Sequence, residues 1–154
     1  MPFDTPFMLG PFSVDAEGRL APRDPEALPA FVFRWRGRMV RARLGQPVPQ
    51  HGRLVLRTVL ARVPSTADAA GPAARESSFA AVHVLRRSMP AAWRVSLLPD
   101  HRVLLDVGAE IKLPITASGL LGELTCFLLA LAPYLDLLDG LGMGAPAEAG
   151  MVKT

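Results

Sequence analysis

Between Val103 and Leu113 the chain follows period two: Val103, Leu105, Val107, Ala109, Ile111 and Leu113 point one way, while Asp106, Gly108, Glu110 and Lys112 point the other. Successive side chains of a strand leave on opposite faces, so this pattern predicts a long strand with one buried and one wet face. Just before it, Trp93, Val95 and Leu97 alternate with Arg94 and Ser96, and Pro99-Asp100-His101-Arg102 supplies turn chemistry. The two runs predict an antiparallel hairpin. A second pair precedes it: Phe31, Phe33 and Trp35 alternate with Val32, Arg34 and Arg36, Gly37 permits a turn, and Val40, Ala42 and Leu44 alternate with Arg41 and Arg43. After the loop Gly45–Gly52 comes the apolar run Leu54–Val63, read as a more central strand with both faces largely covered. In the proline-rich first 30 residues, Phe12 and Val14 followed by a turn to Arg19 and Leu20 predict only a short, edge-like hairpin.

Two segments switch to helical spacing. The first starts at Pro72, a favoured first helical residue, and runs to Met89, where Pro90 stops it; its core stripe reads Phe79, Val82, Leu85 and Met89, with Arg86 and Arg87 in the last turn. The second is capped by Thr116 or Ser118 and repeats leucine at three-four spacing through Leu138. Its other side is hardly polar: Leu121, Cys126, Leu129, Ala132 and Leu137 leave only Gly122, Glu123, Thr125 and Asp136 for water. One sheet cannot cover so wide an apolar circumference, so a second surface is expected to cover the rest. The expected dimer interface is Leu121, Leu124, Leu128, Leu131 and Leu135. The fold expected is α+β: an antiparallel sheet of about five strands in the order β-β-β-α-β-β-α, two helices packed on it, and the short N-terminal hairpin. Residues 1–140 are expected to form this single domain, with 1–30 as its proline-rich N-terminal segment and 141–154 as a loose Gly/Ala-rich tail.

Composition narrows the class of protein. A chain of 154 residues, half of them apolar, is long enough for one core and too apolar for disorder. Its one cysteine, Cys126, forms no internal disulfide and no Cys-x-x-Cys zinc knuckle, and it is expected to sit buried and inert in the apolar helix. The start MPFDTPFMLGPF has no basic opening and no unbroken apolar run, so a cytoplasmic location is expected. Leu113–Leu135 is long enough to cross a bilayer, but Glu123 lies mid-segment and Pro114 and Pro133 bracket it, so no membrane span is expected.

The formal charge of +3 conceals two unlike halves. Arg19 to Arg62 holds ten arginines against Asp24 and Glu26, a balance of +8, whereas residues 100–154 hold seven acids against Arg102, Lys112 and Lys153, a balance of −4. Fifteen of the seventeen basic residues are arginine, which suits planar anions and equally suits a genome rich in G and C. The cluster Arg34, Arg36, Arg38, Arg41 and Arg43 is the candidate partner- or anion-binding site. A solvated or self-complementary surface, a protein partner and nucleic acid are its alternative readings. Phe31, Phe33 and Trp35 project to the opposite face and cannot serve as a base-stacking platform beside the arginines.

Catalytic chemistry is sparse. His51, His83 and His101 fall in a loop, a helix and a turn without metal-ligand spacing, and Asp106 and Glu110, four strand residues apart, are about 13 Å distant, too far to work as a pair. A small hydrolase built on His101 and Asp100 lacks a nucleophile. The chain is therefore read as a non-enzyme with no catalytic residue, no metal and no cofactor.

The run VLLDVGAEIKLPITASGLLGELTCFLLALAPYLDLL, residues 103–138, is similar to the end of type III secretion chaperone-like chains, where an alternating strand closes on Leu-Pro before a leucine-rich helix with a central Phe. The order of three strands, a helix, a hairpin and a long last helix resembles the same fold. The resemblance implies a small, cytoplasmic, usually dimeric bacterial protein that binds an extended segment of a secreted partner. This chain departs from that family in being basic and in opening with prolines rather than a helix. The expectation is a homodimeric, protein-binding interaction module; the alternative is a nucleic-acid or anion binder working through the arginine hairpin.

Overall fold

The computed structural model describes residues 5–67, 71–143 and 145. The chain folds as α+β. Eight strands and two helices follow in the order β1 (Phe7–Leu9), β2 (Phe12–Val14), β3 (Leu20–Pro22), β4 (Ala30–Trp35), β5 (Arg38–Val48), β6 (His51–Arg62), α1 (Gly71–Ser88), β7 (Trp93–Leu97), β8 (Arg102–Lys112) and α2 (Ala117–Gly140). They form a three-stranded sheet, β1-β2-β3, and a five-stranded sheet, β4-β5-β6-β8-β7, with every pairing antiparallel.

The N-terminal unit is larger than its sequence suggests. Phe7–Leu9 adds a third strand outside Phe12–Val14, and Phe12, Val14 and Leu20 enter the main core. The Asp15 carboxylate closes the β2–β3 turn by accepting from the amides of Glu17 and Arg19. Backbone bonds from Leu20 to the Ile115 carbonyl and from Ala117 to the Gly18 carbonyl fasten this unit to the start of α2. There Thr116, of the two cap candidates, accepts from the Gly119 amide.

In the larger sheet one parity of residues builds the core. Phe31, Phe33 and Trp35 of β4 lie across from Ala42, Val40 and Arg38 of β5, and these in turn meet the Leu56 and Thr58 positions of β6 and Val107 and Leu105 of β8. Both helices cover this inner face: Ala81, Val82 and Leu85 of α1 and Leu120, Phe127, Leu131, Leu135 and Leu138 of α2 belong to one cluster with it. A register shift between Val59 and Ala61 lets Leu60 and Ala61 both turn inward.

Three expectations change. Phe79 is exposed, its ring beneath the Arg75 guanidinium at 4.7 Å, and the smaller Ser78 and Ala81 take the core side of α1. The outer side of β6 is only partly covered: Arg53 and Arg57 are exposed and Val55 and Val59 half-buried. Of the tail, Leu141 and Gly142 bond back to α2 and Met143 is buried; the rest lies outside the described residues apart from Ala145.

Candidate interaction surface

The β4–β5 turn decides which arginines share a face. Arg36 and Gly37 both have positive φ, 49° and 73°, and make a two-residue hairpin that pairs Trp35 with Arg38. Such turns need left-handed backbone at both positions, which glycine adopts freely. The register that follows places Arg34 opposite Met39, Val32 opposite Arg41 and Ala30 opposite Arg43, all facing away from the helices. Arg38 has the parity of Val40 and Ala42 and is therefore carried into the core. The five predicted arginines thus divide: Arg34, Arg41 and Arg43 share the open face, while Arg36 and Arg38 do not belong to it.

Arg36 and Arg38 instead lock the hairpin to the end of α2. Arg36 reaches Asp136 and Asp139 at 2.8 and 2.9 Å, and its guanidinium is held above its usual value, first by the Asp136 hydrogen bond. Arg38, only 3% exposed, donates to the carbonyls of Leu60 and Arg36 and lies 3.8 Å from Asp139. Its Nη2 has no hydrogen-bond partner among the described residues, and burial pushes its pKa below the usual arginine range against the opposing pull of Asp139. A buried charge held this way is a structural fastening.

Registration adds arginines that the sequence reading had not grouped with the hairpin. Arg41 lies opposite Arg57 of β6, Arg57 opposite Asp106 of β8, and Asp106 opposite Arg94 of β7, so one charged row crosses the sheet. Toward the β4–β5 turn, Arg34 lies opposite Met39 within the hairpin, and Val59 of β6 lies opposite Leu104 of β8, which lies opposite Ser96 of β7. On the other side Arg43 meets Val55, and Arg53 lies opposite Glu110. A Cβ on Gly108 would collide with the Arg53 guanidinium, so the bare glycine is what lets that side chain lie flat across the strand. The signal in the sequence for this face was the spacing of Arg53 and Arg57, four residues apart and so on one side of the strand, against Leu54 and Leu56 on the other.

Charge is compensated on one side of the face only. Arg57 bonds Asp106 at 2.6 Å, and Arg102 bonds Asp100 at the sheet end. Arg41, Arg43, Arg53 and Arg94 have no carboxylate within 4.0 Å among the described residues, and the first three concentrate on β5 and β6. The surface therefore offers guanidinium forks interleaved with half-buried Val55, Val59 and Leu104 and exposed Val32 and Met39. Every aromatic ring of β4 and β7 lies on the helix side: Phe31 and Phe33 pack against each other, and Trp93 packs on Phe127 and Tyr134.

The expected dimer interface also divides. Leu131 and Leu135 are fully buried in the chain's own core, and Leu124 and Leu128 are half-buried against it. This is a correction: the helix turns that side toward the sheet. Leu121, at 65% exposure, stays outside, joined by Leu129 at 69%. Cys126 is exposed on the same outward side, contrary to the buried position expected. By length and composition α2 is long and apolar enough to cross a membrane, yet its core side is spent on the sheet.

His51 and His83 are exposed on separate elements, and His101 occupies the β7–β8 turn with φ 68°. Compared with family models, curated proteins and solved structures, the chain matches none.

Proposed function

We propose that this protein is a non-catalytic interaction module whose open sheet face binds an acidic protein segment carrying apolar side chains. The observation that carries the reading is the row of Arg41, Arg57, Asp106 and Arg94 across the open face, flanked on the same side by exposed Met39 of β5 and by the Val59–Leu104 pair of β6 and β8. Arg57 is held by Asp106, whereas Arg41 and Arg94 have no carboxylate within 4.0 Å among the described residues and so can attract and orient carboxylates of a partner, and the apolar side chains contribute burial that does not depend on salt. Asp106 and Glu110 within the face suit a partner of patterned charge, whereas a polyphosphate would meet repulsion there. Single-strand binders stack bases on aromatic side chains, and the rings of this protein face the helices. Binding of an extended segment is also the activity that the resemblance to type III secretion chaperones implies.

The test compares two fluorescent probes by anisotropy: a peptide of alternating glutamate and leucine, and oligothymidylate of equal charge. The peptide should bind at physiological salt and outbind the oligonucleotide. The variant Arg41→Glu/Arg43→Glu, altered at two exposed positions, should weaken it by about tenfold or more. Equal affinity of the variant for the peptide, or tighter binding of oligothymidylate with a steep salt dependence, overturns the reading.

A further inference from the structure

We infer that residues 146–152 of this chain, outside the described residues, dock on the outer edge of β4 as an added antiparallel strand with Glu148 opposite Arg34. Among the described residues β4 is the last strand on its side of the order β4-β5-β6-β8-β7. In a two-residue hairpin the residues flanking the turn exchange backbone bonds, so Trp35, Phe33 and Phe31 spend their N–H and C=O groups on β5, and Val32 and Arg34 direct theirs outward. A row of outward backbone groups is a template for one more strand. The side chains here also leave room for one: on the helix side Phe31, Phe33 and Trp35 are only half-buried, although Ala42, Val40 and Arg38 opposite them are buried.

The end of α2 delivers the following chain to this edge. Gly142, with φ 75°, bonds the Asp139 carbonyl through its amide at 3.1 Å, and the Met143 amide bonds the Leu138 carbonyl at 2.8 Å, the paired closure that turns a chain off the end of its helix. Met143 is buried, which anchors the turn. Ala145 then lies against the β4–β5 turn, so close that a Cβ added at Gly37 would be 3.1 Å from the Ala145 Cβ. On its far side β5 already pairs with β6, so a chain starting from this turn can extend the sheet only beside β4.

Counting from that contact sets the register. With residue 145 level with Gly37, an antiparallel run places Ala147 beside Trp35, Glu148 beside Arg34, Ala149 beside Phe33, Gly150 beside Val32 and Met151 beside Phe31. Glu148 is the sole charged residue of 146–152 and Arg34 the sole charged residue of β4, and this register brings them together on one face. Two alanines and a methionine fall on the other face, against the half-buried rings. Pro146, which has no amide to donate, falls level with Arg36, beyond the end of β4. The inference concerns the sheet edge and does not depend on what the open face binds.

Amide hydrogen exchange on the full chain tests it. The Val32 and Arg34 amides should exchange at least about tenfold more slowly in the wild type than in Glu148→Pro/Gly150→Pro, which removes both donors of the added strand, while the Phe33 amide, bonded to β5, stays unchanged. Equally rapid exchange at Val32 and Arg34 in both proteins overturns the inference. Protection that survives the two prolines also overturns it and gives the edge to a second copy or another segment. A cross-link supplies a second reading: in a Cys126→Ser background, Arg34→Cys should form an internal disulfide with Glu148→Cys in preference to Ala147→Cys or Ala149→Cys, whose side chains leave on the opposite face. Equal yields from the three pairs overturn the register. None of these variants alters Arg41 or Arg43, so loss of peptide binding in Arg41→Glu/Arg43→Glu and loss of edge protection are separate outcomes.

Discussion

Removing the Asp139 carboxylate should destabilise the fold chiefly by stranding Arg38. The Arg38 guanidinium has almost no contact with water, and Asp139, 3.8 Å away, is its nearest counter-charge among the described residues. Two unit charges at that distance attract by about 1 kcal/mol in bulk water and about 4 kcal/mol at an effective dielectric near 20. Asp139 is itself 45% exposed, so solvent weakens the pair and the lower part of that range applies, about 2 kcal/mol. Arg38→Met retains the aliphatic stem but leaves the Leu60 and Arg36 carbonyls without their donor, so it carries a cost of its own. The informative quantity is therefore the coupling. Urea denaturation of the wild type, Asp139→Ala, Arg38→Met and the double variant closes a cycle in which the Asp139 change should cost about 2 kcal/mol less once Arg38 is methionine. A coupling below about 0.5 kcal/mol would refute the assignment of Asp139 as the counter-charge that Arg38 requires.

Two further outcomes follow from packing and protonation. Leu135→Ala should lower stability by about 3 kcal/mol in denaturant titration, since the side chain is fully enclosed between α2 and the sheet; a loss under about 1 kcal/mol would show that the helix is not seated there. Asp15 is held below the usual carboxylate range, first by the Arg19 amide, so the β2–β3 turn should be fully braced above the unfolded carboxylate value, near pH 4, and loosen as pH falls through the lower folded value. Amide exchange at Glu17 and Arg19 reads this, and protection unchanged down to strongly acid pH would remove Asp15 from the role.

Period-two and three-four spacing made most of the elements legible. The β4–β5 and β7–β8 hairpins, the Pro72 start of α1 and the Thr116 cap all rest on neighbours in sequence, whose geometry is set by local sterics and hydrogen bonding. The third N-terminal strand was not legible because Phe7, Met8 and Leu9 are all exposed and carry no burial alternation.

The arginine cluster shows where local reading ends. Alternation alone determined that Arg34, Arg41 and Arg43 oppose the aromatic residues of their hairpin. That Arg38 points inward follows from its sharing a side of β5 with Val40 and Ala42 once the two-residue turn lets the strand begin at Arg38. That Arg53, Arg57 and Arg94 join the surface depends on the pairing of four strands distant in sequence. The leucines of α2 teach the same lesson: their spacing established a helix apolar on nearly all sides, but only docking on the sheet determined that Leu131 and Leu135 are enclosed while Leu121 and Leu129 face outward. Periodicity records which residues share a side; what lies against that side is a property of the packed chain, because burial is decided by contacts between segments far apart in sequence.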